Sequence, residues 1–221
     1  DTLPAYAPGR SVPGAIKLAS NELAFPTLPA VAQAIADAAV HESSGINRYP
    51  DNGAARLVTA LAALTGAPES HIVTGCGSVA LCQQLVQATA EAGDEVLFGW
   101  RSFEAYPIVT QITGATAVRV PVTAGHELDL AAMADAITPA TRLIFICTPN
   151  NPTGTTVRAA DLIAFLDRVP EHVLVTIDEA YTEFDDADDS PDGLAEATSR
   201  PNVVTLRTMS KAYGLAGLRV G

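Results

Sequence analysis

The sequence is short of aromatic residues, of bases and of cysteine, and each shortage removes a class of function. Phe, Trp and Tyr make up 5% of the 221 residues, so a core has to be built mostly from Ala, Val, Leu and Ile. Lysine and arginine number 13 against 25 acids, for a formal net charge of −12. Neutralising nucleic-acid phosphates needs clustered bases, as does a polybasic membrane-binding surface, so neither partner is expected. An acidic surface favours solubility without naming a substrate; any anionic ligand must be held by a few local groups. Cys76, Cys82 and Cys147 are odd in number and lack a disulfide rhythm. The spacing of Cys76 and Cys82 does not suit a zinc knuckle and the histidines are scattered, so no metal site is expected. Free thiols fit a reducing, cytoplasmic compartment. No apolar run nears the roughly 18 residues of a membrane span, and no secretory leader is visible.

What is present is a hydrophobic content of 48%, ample for a sizeable core, arranged in an alternating pattern. Residues 1–26 are rich in proline and poor in periodicity, an extended arm. Residues 28–42 read as a helix with Val31, Ile35, Ala38 and Ala39 on one face. A turn-rich loop over 47–53 is followed by a helix over 54–64, with Leu57, Leu61 and Leu64 at core spacing. Beyond it, β-rich runs at 71–74, 95–98, 116–121, 143–147, 173–177 and 203–206 are interspersed with helical segments at 78–90, 103–113, 130–137 and 159–168. This order predicts an α/β fold with a mostly parallel sheet covered on both faces. Residues 185–193 form an acidic loop without the ligand spacing of an EF-hand, and are read as solvated. The chain starts at Asp1 without a methionine and stops inside an apolar stretch, Leu218 to Val220. We expect it to be a piece of a longer polypeptide.

In open α/β sheets ligands bind beyond the carboxyl ends of the strands, and polar residues follow four of these strands. Residues 71–74 run into Gly75-Cys76-Gly77-Ser78, which is either a tight turn or a place where backbone N–H groups near Ser78 and Val79 hold a phosphate. The stretch matches neither the dinucleotide fingerprint nor a P-loop. Residues 143–147 run into Thr148-Pro149-Asn150-Asn151-Pro152-Thr153-Gly154. Asp178 ends an apolar strand; a buried carboxylate there needs a cation, unless it caps a helix. Lys211 follows Ser210 after the last strand, with Arg219 close behind. It is an ordinary surface lysine or, in a crevice beside an arginine, an amine of lowered pKa able to attack a carbonyl.

Ser210-Lys211-Ala212-Tyr213-Gly214-Leu215-Ala216-Gly217-Leu218-Arg219 resembles the cofactor-lysine signature of fold-type I, pyridoxal-phosphate (PLP) dependent aminotransferases. Pro149-Asn150-Asn151-Pro152-Thr153-Gly154 and Asp178-Glu179-Ala180-Tyr181 resemble two further signatures of that family, in the same order. Leu18-Ala19-Ser20-Asn21-Glu22 and Asn47-Arg48-Tyr49-Pro50-Asp51 narrow the resemblance to the histidinol-phosphate aminotransferase subfamily. Residues 75–84 and 98–106 are most similar to its actinobacterial aromatic amino acid branch.

The resemblance spans essentially the whole chain and implies a PLP-binding large domain over 27–221, incomplete at its C-terminal end. The small domain that carries the carboxylate-binding arginine would lie beyond Gly221. Lys211 would hold the cofactor as a Schiff base and shuttle the proton, and Asp178 would pair with the pyridinium nitrogen. Asn151 and Tyr181 would bond the ring oxygen and Phe103 would stack on the ring. Ser78, Val79, Ser210 and Arg219 would hold the phosphate, joined by Tyr49 from a neighbouring subunit, which implies a homodimer with shared sites. Tyr6 and Asn21 would face substrate. The implied reaction is transamination between an aromatic amino acid and 2-oxoglutarate, or alternatively that of histidinol-phosphate aminotransferase.

Overall fold

A computed structural model describes residues 12–43 and 45–221. Tyr6, expected at the substrate pocket, lies outside the described residues. In chain order the regular elements are α1 (Pro29–Val40), α2 (Ala55–Thr65), α3 (Ser78–Thr89), β1 (Glu95–Trp100), α4 (Ala105–Ile112), β2 (Thr116–Pro121), α5 (Leu130–Asp135), β3 (Thr141–Cys147), α6 (Ala159–Leu166), β4 (Leu174–Asp178), α7 (Gly193–Ser199) and β5 (Val203–Leu206). The strands form one five-stranded sheet in the order β2-β1-β3-β4-β5. Every pairing in it is parallel, as the alternation of apolar runs and helices predicts.

Side chains alternate between the faces of a strand, and here both faces are covered. Leu97, Ile144, Ile146, Val175 and Ile177 pack against Met133 of α5 and Leu162 and Phe165 of α6. Val96, Phe98, Leu143, Phe145 and Cys147 pack against Leu81, Cys82 and Val86 of α3 and Tyr106 and Val109 of α4. Burial on both sides is why the strands read as near-continuous apolar runs rather than alternating ones. The strand order reverses at β1, which has β2 on one side and β3 on the other. This switch point puts a crevice at the carboxyl ends of the strands.

Three sequence expectations need correction. Residues 71–74 form no strand: Glu69–His71 is a single 3-10 turn, followed by backbone that joins no sheet among the described residues. Gly75 instead exchanges two backbone hydrogen bonds with Gly221, at 3.0 and 3.2 Å. A β-rich run becomes a strand only where a partner edge meets it. The core spacing read into α2 does not lead to burial: neither it nor α1 has a buried residue, and Leu64 is 71% exposed. Periodicity marks an apolar face but cannot say what covers it. Lastly, the acidic loop ends in a helix, because the Asp192 side chain accepts the Ala195 N–H at 3.0 Å and caps α7.

Thr176, in the middle of β4, is fully buried, and its hydroxyl is the one buried side-chain polar atom without a hydrogen-bond partner among the described residues. Thr176→Val replaces an unpaired hydroxyl by a methyl group. It is expected to stabilise the protein by about 1 kcal/mol, read as a higher urea midpoint at unchanged slope.

Candidate active site

β4 ends on Asp178, which shares the α3/α4 side of the sheet with Thr176 and Leu174. It is 3% exposed. The Tyr106 hydroxyl donates to its Oδ2 at 2.7 Å and the Ala180 N–H to its Oδ1 at 3.2 Å. Burial pushes its pKa above the usual carboxylate value; Glu179 adds to the rise, while the two hydrogen bonds and the Lys211 charge oppose it. Among the described residues no lysine or arginine forms an ion pair with it.

Glu179, one residue on, has the opposite fate. Its Oε2 accepts from Arg207 Nε at 2.9 Å and from the Thr205 hydroxyl at 3.0 Å, and its Oε1 from the Gly193 N–H at 2.9 Å. A Cβ at position 193 would lie 2.6 Å from that oxygen, so glycine is what lets α7 begin there. Glu179 is a satisfied clamp between β4, β5 and α7; Asp178 has no such cationic partner among the described residues.

Past β5 the chain turns into Ser210 and Lys211. The Lys211 Nζ lies 3.4 Å from the Ser20 carbonyl oxygen and 5.6 Å from the centre of the Tyr181 ring. Burial is the main cause of a lowered amine pKa; Arg219 acts in the same direction, Glu22 and Asp178 against it. Asn21, with a left-handed φ of 51°, donates from Nδ2 to the Tyr181 hydroxyl at 2.9 Å. Burial raises the pKa of that phenol. Asn21 and Tyr181 also line a cleft of about 460 Å³, together with Asn151, Pro152 and Phe184. The stretch from Ser20 to Glu22 thus meets the lysine and one wall of the cleft.

Arg219 also has a left-handed φ, of 54°. Its guanidinium donates to Ser210 Oγ at 3.2 Å, to the Ala216 carbonyl at 3.0 Å and to the Cys76 carbonyl at 3.5 Å. Gly77, with φ +84°, lies directly beneath it: a Cβ there would come within 2.3 Å of a guanidinium nitrogen. α3 starts at the next residue without a side-chain cap, so the first N–H groups of the helix, at Ser78 and Val79, keep their donor capacity beside the arginine. A fixed cation, a hydroxyl and a helix N-terminus in one place form an anion-binding arrangement.

Of the sequence-predicted residues, Asn21, Asn151 and Tyr181 line the cleft, and Lys211 lies beside Ser20 and the Tyr181 ring. Arg219 meets Ser210 and the loop that leads into Ser78 and Val79, and Asp178 is buried at the end of β4. Phe103 packs edge-on against Tyr106 at 5.6 Å. Tyr49 is not brought in and is 98% exposed. The paired asparagines divide: Asn150 is buried, accepting from Ser102 at 2.7 Å and donating to Arg101 O at 3.0 Å and Thr153 at 2.8 Å, which leaves Asn151 at the cleft. Sequence reasoning missed Tyr106 and Glu179. The available signal was a polar tip in an otherwise apolar setting: Tyr106 lies on the α4 face that carries Val109.

The arrangement thus sets a half-buried amine after β5 and a buried carboxylate at the end of β4 near a fixed guanidinium. The family description "Aminotransferase class I and II" matches residues 13–221, and the chain belongs to that family. It is 60% identical over 221 residues to an aromatic amino acid aminotransferase of Rhodococcus jostii, covering 100% of this chain and 60% of that protein. It is 62% identical over 219 residues to one of Mycobacteroides abscessus, covering 99% and 61%. The chain thus spans about three fifths of the curated relatives it matches. Among solved structures, histidinol-phosphate aminotransferase of Sinorhizobium meliloti in complex with pyridoxal-5'-phosphate superposes with TM-score 0.83 at 32% identity, over 91% of this chain and 53% of that one. N-succinyldiaminopimelate aminotransferase of Mycobacterium tuberculosis gives 0.78 at 29%, over 90% and 56%.

Two outcomes follow from the geometry. Gly77→Ala should cost about 1–3 kcal/mol from its backbone conformation alone, plus the contact with Arg219. In an Arg219→Ala background the cost should fall by at least about 0.5 kcal/mol, measured by a denaturation double-mutant cycle. Lys17 and Lys211 are the chain's two lysines, so labelling with an amine-selective reagent resolves them by peptide mapping. Lys211 should titrate below the ordinary 10.5, with its labelling rate levelling off at correspondingly lower pH.

Proposed function

We propose that this chain is the cofactor-binding part of a PLP-dependent aminotransferase acting on aromatic amino acids, with 2-oxoglutarate as amino-group acceptor. Residues 27–221 would be the cofactor-binding domain, incomplete at its C-terminal end, and residues 1–26 an N-terminal arm. The observation that carries the reading is the buried Asp178, held by hydrogen bonds and paired with no cation of the protein among the described residues, in the same crevice as Lys211 and Arg219.

The residues fit the cofactor. A dianionic phosphate suits the cradle formed by the Arg219 guanidinium, Ser210 and the Ser78 and Val79 N–H groups, which exists because Gly77 has no side chain to fill it. Asp178 is suited to a ring nitrogen, Asn151 and Tyr181 to the ring oxygen, and Phe103 to a ring face. When bound, PLP supplies an electron sink for the carbanion left by removal of the substrate α-proton. Lys211 would hold the cofactor and would move the proton at the substrate α-carbon; its lowered pKa favours the neutral amine that both tasks require. The Tyr181 hydroxyl is held by the Asn21 side-chain amide at 2.9 Å. Asn21, at the cleft, contacts substrate.

The identity of about 60% to relatives named for aromatic amino acids, against 32% to the histidinol-phosphate enzyme, favours the aromatic substrate. A homodimer, with Tyr49 reaching the partner's phosphate site, is supported by the exposure of Tyr49, Ile46, Val40 and Leu64. Three free cysteines suit the cytoplasm.

With the full-length protein and added PLP, a visible absorption band is expected, to be abolished by Lys211→Ala. Phenylalanine should be turned over with a higher kcat/KM than histidinol phosphate. The reverse order would give the protein to histidinol phosphate, and absence of the band would remove the cofactor.

A further inference from the structure

Tyr106 is used by nothing in the reaction described above, yet it is one of the most tightly placed side chains of the protein. It is fully buried. Its ring lies on Phe145 of β3 at 4.3 Å and 7°, and is flanked by Phe98 at 5.7 Å and Phe103 at 5.6 Å. The ring therefore has little freedom, and its hydroxyl is aimed at Asp178 Oδ2, 2.7 Å away. A buried phenol beside a carboxylate can give its proton up or keep it. Burial and the Asp178 charge both raise the Tyr106 pKa, so the proton stays on the tyrosine and the carboxylate accepts.

We propose that Tyr106 is a positioning residue for the Asp178 carboxylate: through its hydroxyl, held by the Phe145 stack, it keeps Asp178 ionised and fixed, and so sets how far the proton between Asp178 and the cofactor's ring nitrogen lies on the nitrogen. This rests on the PLP reading of the site. The groups facing Asp178 leave this task to few candidates. Cys82 on α3 and Cys147 on β3 are buried thiols whose pKa values burial raises, the latter to about 12, so both remain neutral. Glu179 on β4 opposes ionisation, and Lys211 favours it less than either hydrogen bond does. Tyr181 is also neutral, its phenol raised by burial. The Ala180 N–H is backbone, common to any residue at that position. Tyr106 is thus the side chain that offsets the cost of burying the charge. Without its hydroxyl Asp178 becomes a stronger base, the shared proton moves from the ring nitrogen towards the carboxylate, and the ring is a poorer electron sink.

The test uses the full-length protein loaded with PLP labelled with 15N in the ring. Tyr106→Phe keeps the ring in the Phe145 stack and removes the donor. The 15N resonance is expected to move towards that of unprotonated pyridine, PLP affinity to fall about tenfold, and kcat to fall with little change in KM. Genetically encoded 3-fluorotyrosine at position 106, a stronger donor of the same shape, should move the resonance the opposite way. In an Asp178→Asn background Tyr106→Phe should shift neither resonance nor affinity. An unshifted resonance in Tyr106→Phe, or an equal loss of affinity in both backgrounds, would overturn the proposal and reduce Tyr106 to packing. Failure of the parent protein to bind PLP would instead remove the cofactor reading itself.

Discussion

Burying a carboxylate at the end of β4 is costly unless its charge is met, and much of the site is arranged around that cost. The strand delivers Asp178 to the α3/α4 side of the sheet, where α4 supplies the Tyr106 hydroxyl and the turn after the strand supplies the Ala180 N–H. Two hydrogen bonds lessen the penalty without cancelling it, since burial still leaves the carboxyl pKa raised. A fully neutralised aspartate would have no charge left for a cationic ligand. Glu179 shows the alternative: next in sequence, ion-paired to Arg207 and saturated with donors, it stabilises the junction of β4, β5 and α7 and has no charge to spare.

The opposite charge is handled by close approach of the backbone. Arg219 can rest on the start of α3 only because position 77 lacks a side chain, and its own left-handed backbone helps place it there. The reciprocal bonds between Gly75 and Gly221 tie the two loops together. A strained residue and a glycine with positive φ are thus spent on one anion-binding corner, the usual place for such strain to persist. Lys211 lies between the two charged regions, and its lowered pKa follows from burial with Arg219 nearby.

Much of this could be read from the chain. β2 and β5 were found to the residue and the other strands to within a few, because runs covered on both faces are apolar throughout and bounded by turns. The loops after β3, β4 and β5 stood out because they carry polar residues at the carboxyl ends of the strands, where open α/β sheets bind ligands. The residues whose importance was hidden are those defined by partners far away in sequence: Tyr106, whose hydroxyl meets a carboxylate 72 residues on, and Asn150, which resembles Asn151 in every local respect but is used up by Ser102 and Arg101. Residues 71–74 form no strand for the same reason, since β propensity has no meaning without an edge to pair with, and the core spacing of α2 leads to no burial because periodicity is blind to what lies opposite.

The sequence by itself determined the secondary structure of the α/β framework, the parallel character of the sheet and the identity of the charged groups, because these depend on local pattern and composition. The tertiary structure alone decided which of two adjacent acids faces the crevice, which glycine admits an arginine, and which tyrosine steadies the carboxylate. Those outcomes depend on distances between segments that sequence separation does not encode, and on a desolvation cost that arises only once the sheet has closed over Asp178.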